Sequence, residues 1–121
     1  MDRKEVGAIG EKLAVEYLKK HGYKIIETNF RCREGEIDIV ARQKNCLAFV
    51  EVRTKTGHSF GSPAESISAS KRHKMRVTAA RYIQTHPRLP EFWRIDFVGV
   101  ELEPDGKQGH VELIQNAVGE E

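Results

Sequence analysis

The sequence predicts one α/β domain, a mixed β-sheet with helices packed on it in the order α-β-β-β-α-β-β. Three observations carry that expectation. Apolar residues recur at helical spacing in two segments, one at the start of the chain and one from residue 70. Three extended runs follow the first helix with only short turns between them, which suits an antiparallel meander. The second helical segment then separates the third and fourth extended runs, as in a right-handed parallel crossover. A chain of 121 residues has the length of one domain. That domain is placed at 1–115, with a frayed tail over 116–121.

The first helix is expected over 4–21. Asp2 and Glu5 form a capping-box pattern, and Gly22 suits the C-terminal stop. Val6, Ile9, Leu13 and Tyr17 are its expected buried stripe. Gly7 and Gly10 each cost about 1 kcal/mol against Ala inside a helix. Such a cost predicts that a strand or a ligand comes close to that turn.

Residues 23–29 form a β-rich run, and Arg33-Glu34-Gly35 is a turn. Residues 36–41 alternate, with Ile37 and Ile39 on one side and Glu36 and Asp38 on the other. Gln43-Lys44-Asn45 marks a hairpin turn into a strand over 47–54. The stretch 54–70 is rich in Gly, Ser and Thr and reads as a long mobile loop. A helix over 70–86 ends at Pro87; its apolar stripe is Met75, Ala79, Tyr82 and Ile83, and its polar stripe Lys71, Lys74, Thr78 and Arg81. A strand over 92–100, the turn Pro104-Asp105-Gly106 and a short strand over 111–114 complete the order.

Several function classes fall away. No apolar run approaches the roughly 20 residues of a membrane span, and the charged start MDRKE is unlike a signal peptide, so the expected location is the cytoplasm. Cys32 and Cys46 show no CxxC spacing and read as free thiols. The histidines show no HExxH spacing and read as surface residues; no P-loop or GxGxxG implies a nucleotide cofactor. Tyr82 and Trp93 read as core residues, and Asp96 as a structural partner for Arg94 or Arg81. Net charge is only +2, but 71–94 carries seven Lys and Arg against the single acid Glu91. Such a segment is either a polyanion-facing surface or a solvated helix face.

The chemistry concentrates in Gly35-Glu36-Ile37-Asp38 and Phe49-Val50-Glu51-Val52-Arg53-Thr54-Lys55. If the hairpin closes through a four-residue loop over 43–46, residue 42 pairs with 47. Asp38 then faces Glu51, and Glu36 faces Arg53. Two carboxylates roughly 5 Å apart on facing strands repel unless a cation fills the gap or water covers both. Val40, Leu47 and Phe49 share that face, which favours partial burial over free hydration. Hard cations such as Mg²⁺ bind through one or two carboxylates together with phosphate oxygens and waters. Arg53 and Lys55 stand where negative charge builds on a phosphate under attack. The matching chemistry is phosphodiester hydrolysis by a metal-activated water.

This D-(x)n-E-x-[K-like] arrangement across a hairpin resembles the PD-(D/E)xK nuclease superfamily, of restriction-endonuclease-like fold. Within it the chain is similar to the YraN-like family of small bacterial proteins, akin to archaeal Holliday-junction resolvases. The segments that carry the resemblance are Gly7-Ala8-Ile9-Gly10-Glu11, Gly35-Glu36-Ile37-Asp38, Phe49-Val50-Glu51-Val52-Arg53, Phe60-Gly61-Ser62-Pro63 and Arg94-Ile95-Asp96-Phe97-Val98. Lys71 matches a recurrent basic position. The resemblance implies Glu11 as a third acid beside Asp38 and Glu51, holding Mg²⁺ or Mn²⁺. On residues alone, Glu11 is an ordinary surface side chain at the edge of the helix stripe. The resemblance also implies structured DNA as partner, Lys71, Lys74 and Arg81 along its backbone, and a possible homodimer. One departure stands out: the superfamily has Lys where this chain has Arg53. Arg stays charged at any working pH, so it stabilises charge but abstracts no proton. Glu36 is expected to pair with Arg53. A catalytically inactive nucleic-acid-binding module on the same fold is the alternative.

Overall fold

The computed structural model describes residues 1–57 and 67–116. Most of the expected loop over 54–70, with His58 and Phe60-Gly61-Ser62-Pro63, and the tail from 117 lie outside the described residues. Helix α1 (Arg3–Lys20) starts at the expected cap, where the Asp2 side chain accepts the Glu5 N–H at 2.8 Å. Its buried line is Gly10, Ala14 and Leu18, with Val6, Ile9 and Leu13 beside it. Tyr17, expected in the stripe, is half-buried and stacks on His21 with ring centroids 4.1 Å apart. The cause lies at Gly10, where an added Cβ would strike the Thr54 side chain. The helix touches the sheet along its glycine line, and that contact sets its rotation.

Strands β1 (Lys24–Cys32), β2 (Gly35–Gln43), β3 (Cys46–Thr56), β4 (Phe92–Leu102) and β5 (Gln108–Ile114) form one five-stranded sheet in sequential order. Every neighbouring pair is antiparallel except β3 and β4, which run parallel. Helix α2 (Ala69–Thr85) lies between those two strands in the chain, as a parallel connection requires. The element order is the expected one, with longer strands. The β2–β3 hairpin keeps the expected register, Arg42 opposite Leu47. Its loop is shorter than expected, because Gln43 pairs with Cys46 and only Lys44 and Asn45 turn. Lys44 takes the left-handed φ of 53° that so tight a turn demands.

The sheet buries both faces. Against α1 lie Ile39, Ala41, Val50, Val98 and Val100. Against Met75, Ala79 and Tyr82 of α2 lie Ile37, Val40, Leu47, Phe49 and Ile95. Each of the Val, Ile and Phe side chains is worth about 1.5–3 kcal/mol of burial. Ile37 and Ile39, expected on one side, join different cores, so β2 rolls over at Asp38. Thr78 belongs to the buried face of α2 rather than its polar stripe: it is 1% exposed, and its hydroxyl donates to the Lys74 carbonyl. Trp93 is no core residue; it remains 43% exposed, its ring edge-on to Phe49. Tyr82 is fully buried, as expected.

Asp96 is fully buried, and Arg94 is its partner, Nε to Oδ1 at 2.9 Å. The Tyr23 hydroxyl (2.7 Å) and the Asn116 N–H (2.9 Å) also donate to it, so this buried charge is paired and hydrogen-bonded. Arg81 pairs instead with Glu34 at 3.6 Å. Among the described residues no helix is long and apolar enough to cross a membrane.

Candidate active site

The β2–β3 ladder runs from Gln43↔Cys46 to Ile39↔Val50 and stops there. Beyond it β2 stays with β1 as far as Cys32↔Gly35, while β3 stays with β4 as far as Thr56↔Leu102. The two strands therefore fork where Asp38 and Glu51 stand. A fork leaves backbone donors without ladder partners, and such groups must find others. The Val52 N–H donates to Asp38 Oδ2 at 2.8 Å, a side-chain bond in place of a strand bond.

Asp38 is half-buried, and its carboxyl is pushed up to about 7. Burial is the largest cause, followed by the negative charge of Glu51; Glu11 and Glu36 add to it, and the Val52 N–H opposes it. Glu51 is buried, at 7% exposure. Its Oε1 faces two cations, Lys71 Nζ at 3.3 Å and Arg53 Nε at 3.7 Å. The Arg53 Nε, itself buried, has no hydrogen-bond partner among the described residues. Glu11, on α1, accepts a 2.8 Å bond from the Asn29 side chain.

A cleft of about 550 Å³ opens between the start of α1 and the fork. Asp38, Glu11, Arg53, Gly7, Asp2 and Thr54 line it. Glu51 lies on the other side of the sheet, toward Met75 and Lys71 of α2. Among the described residues no three His, Cys, Asp or Glu side chains are gathered closely enough to hold a metal ion. Each expected acid is held by a different neighbour. Even so, Asp38 feels the negative charge of the other two, a like-charge conflict that a cation placed among them would relieve.

The other expected residues divide. Lys71 reaches Glu51, and Lys74 lines a separate groove with it. Lys55 is half-buried on β3 and does not line the cleft. Arg81 is held by Glu34. Glu36 pairs with Arg31 at 3.4 Å rather than with Arg53, because beyond the fork β2 has β1 as its neighbour.

Asn29 was not singled out from the sequence. Its φ of 56° puts a left-handed residue inside β1 and turns its amide onto Glu11. An Asn, tolerant of that conformation, within a β-branched and aromatic run was the available signal.

Comparison with known proteins places these residues in company. A profile described as "Uncharacterised protein family UPF0102" matches residues 10–100. A UPF0102 protein of Dehalococcoides mccartyi is 52% identical over 122 residues, covering 99% of this chain and 98% of that protein. One from Clostridium botulinum strain Loch Maree is 43% identical over 115 residues, covering 94% of each.

Proposed function

The chain belongs to the uncharacterised protein family UPF0102, and we propose that it is a divalent-metal-dependent nuclease of the PD-(D/E)xK, restriction-endonuclease-like type, hydrolysing phosphodiester bonds in structured DNA. The observation that carries this reading is the fork: Asp38 and Glu51 stand on diverging strands close enough for the charge of Glu51 to push the Asp38 carboxyl up, and Asp38 opens to a cleft that Glu11 and Arg53 also line. A sheet built only for stability would not place like charges together where its ladder breaks.

In this reading Asp38 and Glu51, joined by Glu11, hold Mg²⁺ or Mn²⁺. Such a cation supplies Lewis acidity at the phosphoryl group and eases deprotonation of the attacking water. Arg53 lines the cleft beside Asp38 and opposes the charge that builds on the phosphate. Because Arg53 abstracts no proton, its part is electrostatic. Lys71 and Lys74 hold the nucleic-acid backbone, contacts that give affinity without sequence choice. A symmetric junction with two cut sites would engage two copies of the chain.

A binding module without catalysis is the second reading, favoured by Arg53 and Lys71 together occupying Glu51. The deciding experiment is cleavage of labelled four-way junction, flap, single strand and linear duplex with Mn²⁺ and with Mg²⁺. Products from the wild type that vanish in Asp38→Ala and Glu51→Ala establish the nuclease. Junction binding with no cut in any substrate establishes the binding module.

A further inference from the structure

On the far side of the fork from the cleft lies a groove of about 300 Å³ between the β1–β2 turn and α2. Arg31, Lys71 and Lys74 line it together with Thr78, and Glu36 is the one acid in its wall. Gly35 forms its floor, where an added Cβ would come within 2.7 Å of Thr78 Oγ1, so only glycine lets the turn lie this close to the helix. The volume is at the small end of ligand pockets, about 300–1,000 Å³, and the wall is polar and cationic. A small anion suits it, and an apolar ligand does not.

Two of the cations are already engaged, on unequal terms. Arg31 and Glu36 pair at 3.4 Å with side chains 76% and 57% exposed, and water screens such a pair to near nothing. Lys71 holds Glu51 at 3.3 Å with exposures of 29% and 9%, a tie that is costly to break unless each charge gains a new partner. Lys71 thus stands between the groove and the Glu51 carboxylate.

We infer that this groove is a second phosphate-binding subsite, taking a phosphodiester through Arg31, Lys71 and Lys74, and that its occupancy draws Lys71 off Glu51 and frees that carboxylate for the divalent cation. The identity of the anion rests on the nuclease reading; the coupling rests on the shared lysine. A phosphate gives Lys71 its new partner and a cation gives Glu51 its own, so the two ligands favour one another. Linkage makes the effect reciprocal: each ligand tightens the other by the same factor. The scattered state of the three acids is then the resting state of a site that its substrate completes.

The test is a titration followed by amide NMR, with dimethyl phosphate as the diester probe and Mg²⁺ as the cation. Dimethyl phosphate alone is expected to shift the amides of Cys32, Gly35, Lys71 and Lys74 saturably. With the probe saturating, Mg²⁺ followed at Asp38 and Glu51 is expected to bind about tenfold more tightly. Lys71→Met is expected to tighten Mg²⁺ binding without the probe and to abolish the coupling. Lys74→Met, which leaves the Glu51 ion pair in place, weakens the probe and leaves Mg²⁺ affinity in its absence unchanged.

A groove that stays silent, or Mg²⁺ affinity equal with and without the probe, overturns the inference even in a protein that cuts DNA. Groove binding with coupling in a protein that cuts nothing upholds it and removes the nuclease reading.

Discussion

Below about pH 3 the Asp38 carboxyl is protonated in the folded and the unfolded chain alike, and it adds nothing there to the pH dependence of stability. Its ordinary value is 3.8, and in the fold it is pushed up to about 7. Between these values the folded chain holds the proton more tightly than the unfolded one, so this group's contribution falls as pH rises from about 4 to about 7 and stays low above. Asp38→Asn removes the like-charge conflict while its amide oxygen still accepts the Val52 N–H. It is expected to stabilise the metal-free protein by about 1–2 kcal/mol at pH 8 and to have little effect near pH 3, as read from urea midpoints at the two pH values. A variant no more stable than wild type at pH 8 would show that the carboxylates do not repel as the fork implies. At this scale the sequence was legible where residues meet inside a regular ladder. The register of 42 with 47 put Asp38 and Glu51 one step past the last paired residues, Ile39 and Val50, where the strands part and the two acids turn to different sides, and of the two partners expected for Asp96 the fold selects Arg94. The partner of Glu36 was not legible, because cross-strand bookkeeping ends where the strands part. The exposure of Trp93 was not legible either, since an aromatic at a strand's start carries no mark of its neighbours.

The elements were legible through periodicity and, for α1, through the Asp2 cap. Ser68, which caps α2 by accepting the Lys71 N–H at 3.1 Å, and the tightness of the two-residue β2–β3 turn were not read from the sequence. Less legible was the rotation of α1. Apolar periodicity points to Val6, Ile9, Leu13 and Tyr17, yet the face pressed on the sheet is Gly10, Ala14 and Leu18. Small residues mark a contact through close backbone approach, which a hydrophobicity count does not register. The two glycines of α1 therefore separate cleanly. Gly7 has nothing within 4 Å of an added Cβ, so Gly7→Ala is expected to stabilise by up to about 1 kcal/mol through helix propensity alone. At Gly10 the same change meets Thr54, and Gly10→Ala is expected to destabilise by about 1–3 kcal/mol, with part recovered on adding Thr54→Ala. Thermal denaturation of these three variants beside the wild type decides it. Equal shifts for the two glycines would mean that α1 does not rest on β3 through Gly10.

Across the whole molecule the charge layout is a consequence of the topology. The crossover that makes β3 and β4 parallel must carry a helix over one sheet face, and here that helix is α2 with Lys71 and Lys74 at its N-terminal end. The meander that precedes it brings Arg31 of β1 to the same end. The cleft with Arg53 and the groove with Arg31, Lys71 and Lys74 consequently flank one fork, within reach of a single polyanion strand. From the sequence alone the basic run 71–94 reads either as a polyanion-facing surface or as a solvated helix face. In the fold it is divided, because Arg81 turns to Glu34 and Arg94 is tied to buried Asp96. Binding energy is therefore expected from four cations rather than from the whole run. With about 0.9 counterions released per neutralised phosphate, log affinity for a junction should fall against log salt with a slope of about −3 to −4. Lys71→Glu combined with Lys74→Glu should flatten that slope by about two, while Arg81→Glu leaves it unchanged. Fluorescence anisotropy across a salt series measures all three slopes. If Arg81→Glu flattens the slope as much as the paired variant, the polyanion runs along the outer face of α2 and not across the fork, and the acids at Asp38 and Glu51 lose their claim to its phosphates.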